Sequence, residues 1–145
     1  MLANFAKVHL EGEKNMYRIA ICDDDLVFGS LLEQYLQNFA KTRRIPIDVL
    51  VFARGEEYLE FLIEELPVDL IFLDIQFEKG LDGVQIGKEL RADIKNEMTQ
   101  IIYISGIESY AMQLFQNRPM DFLVKPVKQE RVDHIMEEYL RLFGN

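Results

Sequence analysis

Residues 68–74 read Val-Asp-Leu-Ile-Phe-Leu-Asp, an apolar run that ends in a charged residue, Asp74. A nearly continuous apolar run of this length is typical of a strand that is buried on both faces of a parallel sheet. Gly80, Asp82 and Gly83 follow, and residues of these types favour a loop before the next helix. Asp74 is therefore predicted to emerge from the carboxyl end of a buried strand.

The rest of the sequence repeats this pattern of short apolar runs and residues at helical spacing. The predicted strands are residues 17–22, 47–52, 68–73, 100–104 and 121–124. Apolar residues recur with a helical period at 31–39, 58–63, 86–90, 111–115 and 132–143. Because parallel strands need right-handed crossovers, the alternation predicts an α/β fold, a (βα)5 flavodoxin-like three-layer sandwich with the parallel sheet order 2-1-3-4-5.

The length and hydrophobic content predict one domain. The chain has 145 residues, of which 49% are hydrophobic, so it can bury the core of an ordinary domain. Residues 1–15 are polar and weakly patterned, and we interpret them as a leader or tag outside a domain of residues 16–145. Asn4 and Lys7 interrupt the apolar residues of this segment, which argues against a signal peptide or membrane span there.

Charge and cysteine content exclude several classes of function. The formal net charge of -9 repels phosphate backbones, so we expect no direct binding of nucleic acid by this chain. Cys22 is the single cysteine and the chain has 2 histidines, so a cysteine-rich or histidine-based metal site is not expected. These features favour a reduced, cytoplasmic setting. An acidic run is interpreted as a solvated helix face and comprises Glu56, Glu57, Glu60, Glu64 and Glu65.

Polar side chains are predicted to meet at the carboxyl edge of the sheet, where open parallel sheets bind their ligands. These residues are Asp23, Asp24, Asp25, Asp74, Ser105 and Lys125. Crowded carboxylates repel one another unless they share a cation, and a set of oxygen ligands suits Mg²⁺. The aspartates after the first strand also fit another interpretation, a solvated turn in which Asp25 caps the next helix.

Asp74 has the chemistry of a nucleophile at such a site. A carboxylate beside Mg²⁺ can attack phosphorus and carry an aspartyl phosphate. The Ser105 hydroxyl can donate a hydrogen bond to a phosphoryl oxygen, and Lys125 can neutralise the charge of the phosphoryl group. The pattern therefore predicts phosphoryl transfer to Asp74.

Four motifs stand at the predicted strand ends. They are Ile19-Ala20-Ile21-Cys22-Asp23-Asp24-Asp25, Asp69-Leu70-Ile71-Phe72-Leu73-Asp74, Ile104-Ser105-Gly106 and Phe122-Leu123-Val124-Lys125-Pro126. In this order and at this spacing they resemble the receiver domain of two-component response regulators, over nearly everything from Met16 to the end. The third motif and Pro119-Met120-Asp121-Phe122 are similar to LytTR-type regulators.

The resemblance implies a role for each acidic residue. Asp74 would be the phosphoacceptor, and Asp24 and Asp74 would bind Mg²⁺ directly. The backbone carbonyl of Gln76 would be a further ligand, and Asp23 would act through water. The loop after Asp74 lacks the proline that is common in the family and has one residue more than usual.

The resemblance also implies a switch. Ser105 would reorient towards the phosphoryl group, and Phe122 would be the aromatic residue coupled to it. Phe122 replaces the frequent tyrosine, which removes a hydroxyl and keeps the ring. The bond between Lys125 and Pro126 would be cis.

By resemblance, the protein would be a phosphoacceptor that catalyses its own phosphorylation and slow dephosphorylation, not a classical metabolic enzyme. A sensor histidine kinase would donate a phosphoryl group from its phosphohistidine. Phosphorylation would then alter the face formed by the short helix at 111–115, the fifth strand and the last helix. On the short helix we expect at least one of Tyr110, Met112 and Phe115 to be exposed, with Phe115 favoured for the core.

The same family expectation extends beyond this chain. LytTR-type regulators carry a DNA-binding output domain after the receiver, and we expect that domain to be missing here. Dimerisation on phosphorylation is expected through the last helices.

Three other functions fit parts of the sequence. A haloacid-dehalogenase-like phosphatase would use Asp23 as nucleophile and Asp25 as acid/base, but it leaves Asp74 without a role. A flavodoxin-like FMN carrier shares the predicted topology, although an aspartate triplet would repel its phosphate. The third is a receiver-like binding module that works without phosphorylation.

Overall fold

The alternating segments form a parallel sheet in the computed structural model of the protein, which describes residues 16–106 and 115–144. The strands are β1 Tyr17–Cys22, β2 Ile47–Phe52, β3 Leu70–Asp74, β4 Gln100–Ser105 and β5 Asp121–Val124. Their order in the sheet is β2-β1-β3-β4-β5, and every neighbouring pair is parallel. The predicted topology is confirmed.

Helices cover both faces of this sheet. They are α1 Leu26–Arg43, α2 Gly55–Glu64, α3 Gly83–Ala92 and α4 Gln129–Phe143, with 3₁₀ turns at Ile94–Asn96 and Phe115–Asn117. The predicted leader at 1–15 lies outside the described residues, as does the predicted short helix at 111–115 apart from Phe115. In the part of the chain that the structure describes, no helix is long and apolar enough to cross a membrane.

Strand β3 begins two residues later than predicted, at Leu70, and includes Asp74. At its start the side chains of Tyr58 and Thr99 bond the Val68 backbone. The Asp69 carboxylate, rather than a backbone carbonyl, accepts a hydrogen bond from the Arg18 N–H of β1 at 2.9 Å. The ladder with β1 therefore starts where Leu70 pairs with Ile19.

Two apolar layers hold the helices against the sheet, because successive side chains of a strand point to opposite faces. On one face, Ile21 and Phe72 belong to a cluster that includes residues of α1 and α4. On the other face, Cys22 and Leu73 belong to a cluster that includes residues of α2 and α3. The central strands are buried on both sides, which explains why their sequences are apolar without alternation.

Candidate functional site

Three carboxylates meet at the carboxyl edge of the sheet, where β1 and β3 are neighbours. Asp23 and Asp24 directly follow β1, and Asp74 is the last residue of β3. One carboxylate oxygen from each residue lies within 4.8 Å of the other two. We call these three residues the acidic cluster.

Asp74 is in an environment that disfavours its charged form. Its side chain is buried, with 5% of the residue exposed. Burial, and next the negative charge of Asp23, raise the pKa of Asp74 to about 7, although Lys125 and the backbone N–H of Gln76 act in the opposite direction. A cation bound beside Asp74 would favour its charged form and so oppose both effects.

The two oxygens of Asp23 have different surroundings. Oδ1 accepts a hydrogen bond from the backbone N–H of Asp25 at 2.8 Å. Oδ2 lies 3.0 Å from Lys125 Nζ, but the ammonium is not aligned for a hydrogen bond, so this buried oxygen accepts none from a described residue. Lys125 Nζ also lies 3.8 Å from Asp74 Oδ2, so one ammonium faces two buried carboxylates.

Lys125 is placed by its strand and by an aromatic ring. It follows β5, and its backbone N–H donates to the carbonyl of Ser105 at 2.8 Å. Its Nζ lies 4.4 Å from the centroid of the Phe28 ring, so cation–π attraction stabilises the ammonium in this position. Its peptide bond to Pro126 is cis. The role of Phe28 was not predictable from the sequence, because one aromatic residue in an apolar helix stripe gives no signal of such a contact.

The loop between β3 and α3, residues 75–82, is tied to the acidic cluster by its backbone. Gln76 N–H donates to Asp74 Oδ1 at 3.1 Å, and Glu78 N–H donates to Asp24 Oδ2 at 2.9 Å. At the far end, Gly83 N–H donates to the carbonyl of Ile75 at 2.7 Å. The carboxylates thus order the loop that carries Gln76.

Ser105 and Phe122 lie on the two strands beyond Asp74. Ser105 is the buried last residue of β4 and pairs with Val124 across the ladder. Phe122 pairs with Tyr103 and is half-buried against the apolar cluster beneath α2 and α3. Both predicted switch residues therefore lie on β4 and β5, the two strands on the opposite side of β3 from β1.

Asp25 has a structural role that separates it from the cluster. It is exposed, and its side chain accepts a hydrogen bond from Phe28 N–H at 3.1 Å as the N-cap of α1. The helix-cap interpretation of the aspartate triplet therefore holds for Asp25, whereas Asp23 and Asp24 lie in the acidic cluster. An acid/base role for Asp25, as in the phosphatase alternative, would compete with this cap.

The donor set of the cluster fits Mg²⁺. Three carboxylates lie together but Lys125 faces only two of them, Asp23 Oδ2 lacks a hydrogen bond from any described residue, and burial together with the charge of Asp23 raises the pKa of Asp74. Oxygen ligands of this kind suit a small hard cation. The cation would offset the negative charge that the lysine leaves unbalanced.

Two expectations from the sequence are wrong. Glu56 does not belong to a fully solvated face, because its carboxylate accepts a hydrogen bond from Leu81 N–H and is partly buried. Phe115 does not lie in the core, since 71% of it is exposed in the 3₁₀ turn before β5, which does confirm that at least one of Tyr110, Met112 and Phe115 is exposed. Tyr110 and Met112 lie outside the described residues.

The fold and the acidic cluster together are typical of one protein family. The family of response regulator receiver domains matches residues 19–137. The chain belongs to this family and is the receiver domain of a two-component response regulator.

Among the relatives of the chain are sensory transduction proteins named LytT. The LytT protein of Oceanobacillus iheyensis is 34% identical over 77 residues, which cover 53% of this chain and 30% of that protein. The LytT protein of Bacillus cereus is 27% identical over 124 residues, which cover 86% of this chain and 47% of that protein. The chain thus spans less than half the length of these curated relatives.

Solved structures share the fold at lower identity. The response regulatory domain of mrkE from Klebsiella pneumoniae superimposes with a TM-score of 0.75 at 21% identity, covering 86% of this chain and 96% of that one. The receiver domain of the sensor histidine kinase PA1611 from Pseudomonas aeruginosa gives a TM-score of 0.72 at 20% identity, covering 86% and 98%. The PA1611 structure has a magnesium ion coordinated in its active site cleft.

Proposed function

We propose that Asp74 accepts a phosphoryl group from the phosphohistidine of a sensor histidine kinase. The observation that carries the proposal is a buried carboxylate at the end of β3 that faces Lys125 and has a second and a third carboxylate within 4.8 Å. This arrangement offers a nucleophile, a cation for the incoming charge and oxygen ligands for a metal. Membership of the receiver family supports the same chemistry.

Asp24, Asp74 and the backbone carbonyl of Gln76 are the proposed direct ligands of Mg²⁺, with Asp23 acting through water. When bound, Mg²⁺ supplies positive charge that offsets the carboxylates and the phosphoryl oxygens. The raised pKa of Asp74, and an Asp23 oxygen that is paired with Lys125 but accepts no hydrogen bond from a described residue, support a cation at this place.

In the proposed transfer, an oxygen of Asp74 attacks phosphorus in line, and the bond between phosphorus and the histidine nitrogen of the kinase breaks. The electron pair of that bond stays with the imidazole, which leaves as the neutral group after it takes up a proton. Lys125 neutralises charge on the phosphoryl group, and Ser105 donates a hydrogen bond to one of its oxygens. Water later hydrolyses the acyl phosphate slowly and restores Asp74.

The signal would leave the site through Ser105 and Phe122. The hydrogen bond from Ser105 to the phosphoryl group would exist only in the phosphorylated state, so phosphorylation shifts the population of conformations on the face that includes β5 and α4. The full-length protein would use this change to control an output domain, a LytTR-type DNA-binding domain by analogy with the longer LytT relatives. Phosphorylation would also permit a homodimer, and the protein would act in the cytoplasm.

Intact-mass spectrometry after incubation with Mg²⁺ and phosphoramidate tests the assignment of Asp74. We expect one added phosphoryl group on the wild type and none on Asp74→Asn. Asp25→Asn is the matched control, because asparagine keeps the helix cap and the residue lies outside the cluster. That variant should be labelled like the wild type.

Two results would contradict this assignment. An adduct that persists in Asp74→Asn would move the nucleophile to another carboxylate, with Asp23 as the next candidate. Absence of label on the wild type, with folding confirmed by circular dichroism, would favour a receiver that works as a binding module without phosphorylation.

A further inference from the structure

The β3–α3 loop has a third tether that lies outside the acidic cluster. Glu56, in the first turn of α2, accepts a hydrogen bond from Leu81 N–H on its Oε2 at 2.9 Å. At its other end the same loop is tied to Asp74 and Asp24 through Gln76 and Glu78. Of these three carboxylates, Glu56 is the one that is not a proposed metal ligand.

The contact with Glu56 is tight because residue 80 is a glycine. Gly80 has φ +83, in the left-handed region that favours glycine. A Cβ at this position would lie 1.9 Å from Oε2 of Glu56 and 3.0 Å from Oε1. The loop backbone and the carboxylate are therefore fitted to each other without space for a side chain.

The carboxylate of Glu56 is held in its charged form by this contact. The hydrogen bond from Leu81 is the main cause that lowers the pKa of Glu56, and Arg54 Nη2 lies 3.8 Å from Oε2. Oε1 is buried and accepts no hydrogen bond from a described residue. A hydrogen bond to a charged acceptor is stronger than one between neutral groups. The hydrogen bond from Leu81 is thus the main polar anchor of this side chain, and the backbone N–H of Glu56 and the charge of Arg54 contribute less.

We propose that Glu56 is a positioning residue for the acidic cluster, holding the β3–α3 loop so that Gln76 and Glu78 stay beside Asp74 and Asp24. The inference rests on the proposed function in one respect, the consequence for Mg²⁺. Asp24 Oδ2 now accepts from Glu78 N–H, and a cation on that oxygen would weaken this bond. The bond between Glu56 and Leu81 does not take part in that competition, so it keeps the loop in place while Asp24 changes partners.

Hydrogen exchange measured by mass spectrometry on the metal-free protein tests the tether directly. In Glu56→Ala we expect the amides of residues 76–82 to exchange about tenfold faster or more, the factor expected when a charge-assisted hydrogen bond is lost. The amides of β1 and β4 should keep wild-type rates. Glu60→Ala, an exposed acidic residue of the same helix, is the matched control and should leave the loop unchanged.

Glu56→Gln keeps the test decisive if the alanine variant does not fold. Glutamine retains an acceptor oxygen of the same reach but not the charge, so we expect a smaller increase in exchange, about threefold. Loop exchange within about twofold of the wild type in every Glu56 variant that folds would overturn the proposal, because hydrogen bonds of this kind are worth more than that factor.

Calorimetric titration with magnesium chloride tests the consequence for the cluster. Glu56→Ala should weaken the affinity for Mg²⁺ about three- to tenfold. The reason is that the Gln76 carbonyl, a proposed metal ligand, must then be ordered at the moment of binding. Gly80→Ala should also weaken it, and the loss should be smaller in the Glu56→Ala background, where the carboxylate no longer meets the new Cβ. Unchanged affinity in Glu56→Ala despite faster loop exchange would overturn the positioning role.

These readouts separate the two proposals. A wild type that binds no Mg²⁺ and takes up no phosphoryl group would refute the proposed function, while the exchange rates would still decide whether Glu56 holds the loop. A wild type that binds Mg²⁺ and is phosphorylated, with a loop indifferent to Glu56, would refute the inference alone.

Discussion

The carboxylate of Asp23 and the ammonium of Lys125 lie 3.0 Å apart, although their strands, β1 and β5, are separated in the sheet by β3 and β4. The long lysine side chain reaches across the end of β3, where Asp74 lies 3.8 Å from the same ammonium. The contact therefore spans the acceptor strand, and it depends on the complete sheet.

Removing this ammonium should destabilise the metal-free protein. We expect Lys125→Met to lower the free energy of unfolding near pH 8 by about 1–3 kcal/mol, because two buried carboxylates lose their nearby cation. The partial exposure of the lysine to solvent limits the size of this loss. Urea denaturation in the presence of a chelator measures the change. Lys128→Met replaces an exposed lysine near the start of α4 and should cost little. Equal losses in the two variants would contradict the assigned role of Lys125.

Removing the negative charge of Asp74 should stabilise the metal-free protein, and the size of this stabilisation should depend on pH. The pKa of Asp74 is raised to about 7 in the folded protein, above its usual 3.8. The folded state therefore binds more protons than the unfolded state, so this group reduces stability as pH rises from about 4 to about 7. Asp74→Asn removes that loss.

We expect Asp74→Asn to stabilise the metal-free protein by about 1–3 kcal/mol near pH 8 and by clearly less near pH 5, since each unit of pKa shift is worth about 1.4 kcal/mol before screening. Urea denaturation at both pH values gives the two differences. A difference that is independent of pH, or a destabilised variant at the higher pH, would show that the cluster does not raise the pKa of Asp74.

Magnesium should stabilise the fold through the same residues. A ligand present at about ten times its dissociation constant adds about 1.4 kcal/mol to the free energy of unfolding, so the melting temperature should rise with the concentration of Mg²⁺. Asp24→Asn should abolish most of this rise, and Asp25→Asn, which keeps the cap of α1, should preserve it. Equal responses of both variants would argue against Asp24 as a ligand.

Two glycines offer a test of packing away from the site. A Cβ on Gly87, in α3, would lie 2.0 Å from the Tyr103 hydroxyl, which accepts a hydrogen bond from Asn117 at 2.9 Å. A Cβ on Gly29, in α1, would meet Val51 at 3.9 Å and no other of the described residues.

We expect Gly87→Ala to lower the free energy of unfolding by about 1–3 kcal/mol and Gly29→Ala to raise it by about 0.5–1 kcal/mol, because alanine favours helix where it has space. Tyr103→Phe should remove part of the cost of Gly87→Ala, since it deletes the atom nearest to the new Cβ, while Asn117 Nδ2 at 2.7 Å remains. Thermal and urea unfolding of the wild type, the three single variants and the Gly87→Ala/Tyr103→Phe double variant check this, and a stabilising Gly87→Ala would show that α3 does not pack against the Tyr103 hydroxyl as described.

The order of the sheet and the acidic cluster were predictable from the sequence because both depend on patterns with fixed periods. Continuous apolar runs mark buried parallel strands, and the residue after each run falls at the carboxyl edge. Asp24, Asp74 and Lys125 were found in this way.

Contacts that depend on three-dimensional packing were not predictable. The Glu56 carboxylate is one of several acidic residues on α2, and its sequence neighbours do not indicate that Leu81 will reach it. Phe28 looks like any core residue of α1 until the lysine that follows β5 is placed over its ring. Such contacts are set by the angle between elements and by loop geometry, which hydrophobic periodicity does not encode.

The crowding of Asp23 and Asp74 sets the stability of this domain against its capacity to accept a phosphoryl group, which matters when the domain is engineered. A selection that rewards only resistance to heat or urea would favour replacement of Asp74, because a neutral side chain relieves the repulsion at no loss of packing. The variants that such a screen ranks highest would then include those that no longer accept a phosphoryl group. Stabilising this domain for use as a sensor component therefore requires that the carboxylates be held fixed and that substitutions be sought elsewhere, for example at Gly29.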